Sequence, residues 1–138
     1  MGFVWDWGSL NWFAILVALV ASMAIPSIWY MKPVFGRWWM ADVGMTDEKM
    51  QQLGYKIFVV PVFAGFVQAV ALALLVMNIG GGAAEGLLVG AAVGLGITAL
   101  QIIPHYTFAA QPMRLAIING SQSAATLSVM GLVLGAWR

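Results

Sequence analysis

Residues 57–79, IFVVPVFAGFVQAVALALLVMNI, run for twenty-three positions without a charged side chain. At about 1.5 Å per residue a helix of that length reaches roughly 34 Å, enough to cross the hydrocarbon core of a bilayer. Three more stretches pass the same test, so the spans are expected near 10–31, 56–79, 86–108 and 115–137. The expected fold is all-α: a four-transmembrane-helix bundle forming one transmembrane domain over residues 1–138, with a short interfacial helix between helices 1 and 2.

Composition supports lipid as the main solvent. Hydrophobic residues make up 62% of the 138 and charged residues 8%, against about 25% charged in a water-soluble domain. Mean hydropathy is +0.93. The net charge of +1 creates no field that would draw nucleic acid. Cysteine is absent and His105 is the single histidine. Thiolate chemistry is therefore excluded, and a multi-histidine metal site within one chain is impossible. No metal and no cofactor are expected. With no basic stretch ahead of the first apolar run, the N-terminus is expected not to be a cleaved signal.

The polar segment 34–54 separates the first two spans. Pro33 ends the first helix. Trp29, Tyr30, Arg37, Trp38 and Trp39 mix aromatics with a cation, as interfacial anchors do. Thr46 is placed to cap a short helix with Asp47 and Glu48 in its first turn. Phe3, Trp5, Trp7, Trp12 and Phe13 form the aromatic belt at the other end. Lys32, Arg37, Lys49, Lys56 and Arg114 fall on the side of the first and third loops, and only Arg138 on the opposite side. The positive-inside rule then puts those loops in the cytoplasm and both termini outside.

No acidic or basic residue lies mid-span, where ion-coupled pumps and proton relays place theirs. The third span carries Thr98, Gln101 and His105 at offsets of three and four. The fourth carries Asn119, Gln122, Ser123 and Thr126. Gln101 and Gln122 both fall roughly 5 Å to the loop side of mid-membrane, and His105 and Asn119 roughly 10 Å, at the α-helical rise. The expectation is a polar seam with Gln101 beside Gln122 and His105 beside Asn119. Ser22 and Ser27 reach similar depths, and Gln68 sits near the centre of the second span. Such groups are common glue between membrane helices, at about 0.6 kcal/mol each, and glue is the plainer reading beside a cavity-lining site. Gly86, Gly90 and Gly94 repeat every four residues, as do Gly131 and Gly135. These are candidate helix-packing positions, within one chain in the plainer reading or between copies in the other.

The run Trp29-Tyr30-Met31-Lys32-Pro33-Val34-Phe35-Gly36-Arg37-Trp38-Trp39 resembles the signature of a bacterial membrane family, the domain of unknown function 1761. Val43-Gly44-Met45-Thr46-Asp47-Glu48 is similar to the family's Gly-x-Thr-acidic turn. Pro112-Met113-Arg114-Leu115 with Ile118-Asn119-Gly120 is similar to its Pro-x-Arg-Leu and Ile-Asn run. The family pattern often has Ser at Lys32 and His at Gln122, so a role needing a histidine in the fourth span does not carry over. The resemblance implies a small four-helix inner-membrane protein and no particular activity.

With no nucleophile–base pair in view, no catalytic residue is assigned and an enzyme is not expected. The expected role is a structural or accessory subunit, packing as a homo-oligomer or within a larger membrane complex. The alternative is a small oligomeric channel or carrier for a neutral solute through the seam between helices 3 and 4. The expected partners are the lipid bilayer and either itself or another membrane protein, and no nucleic acid.

Overall fold

A computed structural model describes residues 2–138. Its helices are α1 Trp12–Trp29, α2 Arg37–Val43, α3 Asp47–Leu53, α4 Val59–Ile79, α5 Ala83–Ala91, α6 Leu100–Phe108 and α7 Met113–Ala136. A π-helical segment, Ala92–Ala99, joins α5 to α6 without a break. A 3-10 turn, Tyr55–Phe58, leads into α4. Four continuous helical stretches are long and apolar enough to cross a membrane: Trp12–Trp29, Tyr55–Ile79, Ala83–Phe108 and Met113–Ala136. The expected spans hold to within a few residues. The interfacial segment is two short helices rather than one.

Local chemistry sets these boundaries. The Asn11 side chain accepts from the Ala14 N–H at 3.1 Å and starts α1. Gly44 ends α2 with φ +68°, a left-handed cap that suits a residue without a Cβ. Thr46 then caps α3 by accepting from the Lys49 N–H at 3.2 Å, with Asp47 and Glu48 in the first turn. Pro61 is tolerated because it lies in the first turn of α4, where no N–H is needed.

Both chain ends meet at one end of the bundle. The Asn11 amide donates to the Trp137 carbonyl at 2.8 Å. Asn78, at the end of α4, exchanges two hydrogen bonds with the backbone of Val4. Helix α7 is central, packing against α1, α4, α5, the π segment and α6. The glycine stripes make its closest contact. A Cβ at Gly90 would lie 2.8 Å from the Leu127 carbonyl carbon, and one at Gly86 3.0 Å from the Gly135 Cα. Gly94 faces Ala124, Gly131 faces Gly86 and Gly90, and Gly135 faces Gly82. The stripes therefore join α5 to α7 inside one chain, and bringing two copies together is not what they do here.

The main apolar cluster occupies the half of the bundle that holds the termini, while Ala99, Leu115, Ala116 and Ile118 are buried toward the other end. The cluster is built from Leu10, Ala14, Ile15 and Ala18, from Ala69, Leu72, Ala73, Leu74 and Val76 of α4, and from Leu127, Met130 and Leu134. Toward the other end α4 leaves the bundle. Every residue from Thr46 to Ala64 is exposed, and the first buried position of α4 is Gly65. Gly65 marks where the helices touch: a Cβ there would press on the Leu19 side chain at 3.2 Å and on the Ser22 side chain.

Candidate functional site

The departure of α4 opens a cavity of about 660 Å³ between α1, α4 and α7, within the range of about 300–1,000 Å³ typical of small-molecule sites. Neutral polar side chains gather at one level of it. Ser22, Gln68, Thr98, Gln122, Ser123 and Thr126 all line it. Each lies within roughly 4 Å of the middle of its own span along the helix axis, at the α-helical rise. Ser27 and Tyr30 continue the lining toward the loop end. There Trp39 and Met40 of α2, Met50 of α3, and Ile57 and Phe58 form the remaining walls. No Lys, Arg, Asp or Glu lines the cavity.

Beside it stands a polar network. The Tyr30 hydroxyl donates to Asn119 Oδ1 at 2.6 Å, and Asn119 Nδ2 donates to the Tyr106 hydroxyl at 2.8 Å. The Trp29 indole N–H donates to the Ile118 carbonyl at 3.1 Å. Asn119 thus ties the end of α1 to α6 through two phenols. Two of the residues expected to be lipid anchors, Trp29 and Tyr30, are instead fastened to α7, and Trp39 packs against Tyr30 with ring centroids 5.4 Å apart and planes tilted by 54°. Trp38 and Arg37 are exposed, as an interfacial role requires.

The expected seam is not formed. Gln101 and His105 are exposed, and neither hydrogen-bonds to the fourth span among the described residues. Asn119 takes tyrosines in place of His105. Gln122 donates to Thr126 at 2.7 Å on its own helix in place of Gln101. The π segment is the cause. Its i→i+5 bonds put more residues in each turn than an α-helix has, so every side chain beyond it is rotated away from its 3.6-residue extrapolation. Thr98 records the change by donating to the carbonyl of Val93, five residues back, at 3.2 Å. Of the seam candidates, only Gln68 and Gln122 reach the cavity. The methionine and aromatic walls escaped the sequence reading, since Met and Trp at an interface look like ordinary belt residues.

At the loop end, Arg114 grips Asp42 through two hydrogen bonds, at 2.6 and 3.0 Å. This guanidinium holds the Asp42 carboxyl below its ordinary range. Lys32 pairs with Asp47 at 2.8 Å. The two pairs fasten α2 to the start of α7 and α3 to the turn after α1.

These features define a class: a multi-pass helical membrane protein with a neutral polar cavity reaching mid-span from one end. The chain belongs to the family described as protein of unknown function (DUF1761), whose model matches residues 13–135. No curated protein and no solved structure matches it.

Proposed function

We propose that this chain is a non-enzymatic protein of the cytoplasmic membrane, with both termini outside, that binds a small uncharged solute in the cavity between α1, α4 and α7. The observation that carries this reading is the level of six neutral polar side chains at mid-span around a space of ligand size. Polar groups needed only as glue would face one another, as Asn119 faces Tyr30 and Tyr106. Those around the cavity tie no two helices together: Ser22, Thr98 and Ser123 donate to backbone carbonyls within their own spans, and Gln122 donates to Thr126 on its own helix. The absence of charge from its walls favours a neutral solute over an ion. The orientation rests on the basic residues, five of which cluster at the end away from the termini.

A second reading, an accessory subunit that packs with itself or within a larger complex, is favoured by Gln101. Its amide is exposed on the outside of the bundle and has no partner among the described residues. An unsatisfied polar group facing lipid costs several kcal/mol, so a covering partner would be favourable there.

Native mass spectrometry of the protein released gently from its own membranes separates the two. Retained small-molecule mass that disappears in Ala64→Trp supports the cavity reading. Ala64 lines the cavity and is exposed, so the indole fills space without displacing a packed neighbour. Co-migrating protein subunits with no small-molecule mass would support the accessory reading and overturn the first.

A further inference from the structure

Four of the five aliphatic hydroxyl groups around the cavity have already committed their protons. Ser22 donates to the Leu19 carbonyl at 2.6 Å and Ser27 to Met23 at 2.7 Å. Thr98 donates to Val93 at 3.2 Å and Ser123 to Asn119 at 3.1 Å. A hydroxyl has one proton and two lone pairs, so in this arrangement each of these oxygens is open to accept and donates only by giving up its backbone partner. Tyr30 is in the same state, its proton lying on Asn119. Gln122 uses one N–H on Thr126 and keeps its carbonyl oxygen free. The donors that remain are the Thr126 hydroxyl, the second N–H of Gln122, and the amide of Gln68 and the indole N–H of Trp39, which have no partners among the described residues. Acceptors therefore outnumber donors in a site without formal charge.

The polarity of the cavity also runs against that of the bilayer. Its main hydrogen-bonding level is at mid-span, whereas toward the loop end only Ser27 and Tyr30 continue it among the apolar walls of Trp39, Met40, Met50 and Phe58. A phospholipid in its ordinary orientation would place its chain against the polar level and its phosphate beside the aromatic wall, a mismatch at both levels. A head that only accepts hydrogen bonds would displace water from the surplus oxygens without replacing its hydrogen bonds, which is costly.

We infer that the cavity takes an uncharged amphiphile that enters head first, with a hydroxyl- or amide-bearing head that donates hydrogen bonds to Ser22, Thr98, Ser123 and Gln122. Its apolar body lies against the methionine and aromatic walls. This inference rests on the reading of the cavity as a binding site.

The test uses two probes with the same chain and the same oxygens: 1-O-dodecylglycerol, with two hydroxyl donors, and its di-O-methyl ether, with none. Each is offered to the full-length protein in nanodiscs, and retention is read by native mass spectrometry. The expected result is one dodecylglycerol per chain, retention of the ether at least about tenfold weaker, and loss of both in Ala64→Trp. Ala64→Leu is a smaller plug that serves where the tryptophan variant does not fold. Equal retention of the two probes, abolished by either plug, overturns the donor-head inference and leaves the cavity reading standing. Retention of neither probe, or retention indifferent to both plugs, overturns the cavity reading and this inference with it.

Discussion

Adding one methyl group at Gly90 tests how α5 and α7 are held together. A Cβ there would lie 2.8 Å from the Leu127 carbonyl carbon and 3.0 Å from the Ser128 Cα. The Leu127 carbonyl oxygen lies closer still, and non-bonded heavy atoms prefer about 3.5–4.0 Å, so the helices must part by more than about 1 Å, which forfeits about half or more of the dispersion attraction of each contact along the stripe. Overpacking of this kind costs about 1–3 kcal/mol. The better helix propensity of alanine offsets up to about 1 kcal/mol of it. Gly90→Ala is therefore expected to destabilise by about 2 kcal/mol or more, the upper end of the overpacking cost less the propensity gain. Gly96, six residues on, is the control: a Cβ there meets nothing within 4 Å. Gly96→Ala is expected to be neutral or to stabilise by up to about 1 kcal/mol. Unfolding in mixed micelles titrated with a denaturing detergent, followed by tryptophan fluorescence, reads both. Equal shifts in the same direction would refute the claim that the stripe is an interface inside the chain.

Three further outcomes follow from the same geometry. Gln101→Ala is expected to leave the unfolding midpoint of the monomer unchanged, while Tyr30→Phe lowers stability by about 0.6 kcal/mol, the average for a hydrogen bond between membrane helices; the reverse ranking would restore the seam read from the sequence. Arg114 depresses the folded-state pKa of Asp42 below its ordinary 3.8, so the stability due to the pair is present above that value and lost as pH falls through the lower, folded one. The acid limb of the pH–stability curve should therefore flatten in Asp42→Asn, and an unchanged limb would count against the pair. The chain has no native cysteine, which suits single-cysteine labelling: Ala84→Cys and Ala136→Cys, both at exposed positions, should react with an impermeant reagent on intact cells, and Lys49→Cys and Gln111→Cys only after permeabilisation. The opposite pattern would invert the proposed orientation.

Much of the bundle was legible because the bilayer imposes a length and a composition on anything that crosses it. Runs such as 57–79 admit almost no other reading, and Thr46 with Asp47 and Glu48 announced its helix by capping chemistry alone. The glycine spacing was legible too, since stripes of small residues serve close approach, although only the structure shows which helix they approach. The seam was not legible. Pairing Gln101 with Gln122 assumed an unbroken 3.6-residue period along the third span, and the π segment at 92–99 breaks it. Backbone hydrogen bonds that shift from four to five residues leave no periodic mark in an apolar stretch containing Gly94 and Gly96. The cavity was hidden for a different reason. It exists because α4 leaves α1 and α7 before Gly65, and its walls are Met and aromatic side chains whose types suit lipid contact equally well.

A single pair of cysteines tests the polar cavity most directly. Ser123 lines it near the middle of the fourth span, and Leu95 lies near the middle of the third span with 59% of its surface exposed. Both are placed in the full-length protein in liposomes and treated with methyl methanethiosulfonate, a small neutral reagent whose reaction needs a thiolate and therefore a hydrated setting. The account predicts that Ser123→Cys reacts, that Leu95→Cys at a similar depth stays inert, and that Ala64→Trp suppresses the first reaction. An inert Ser123→Cys, or equal rates at the two positions, would contradict a polar cavity at mid-membrane.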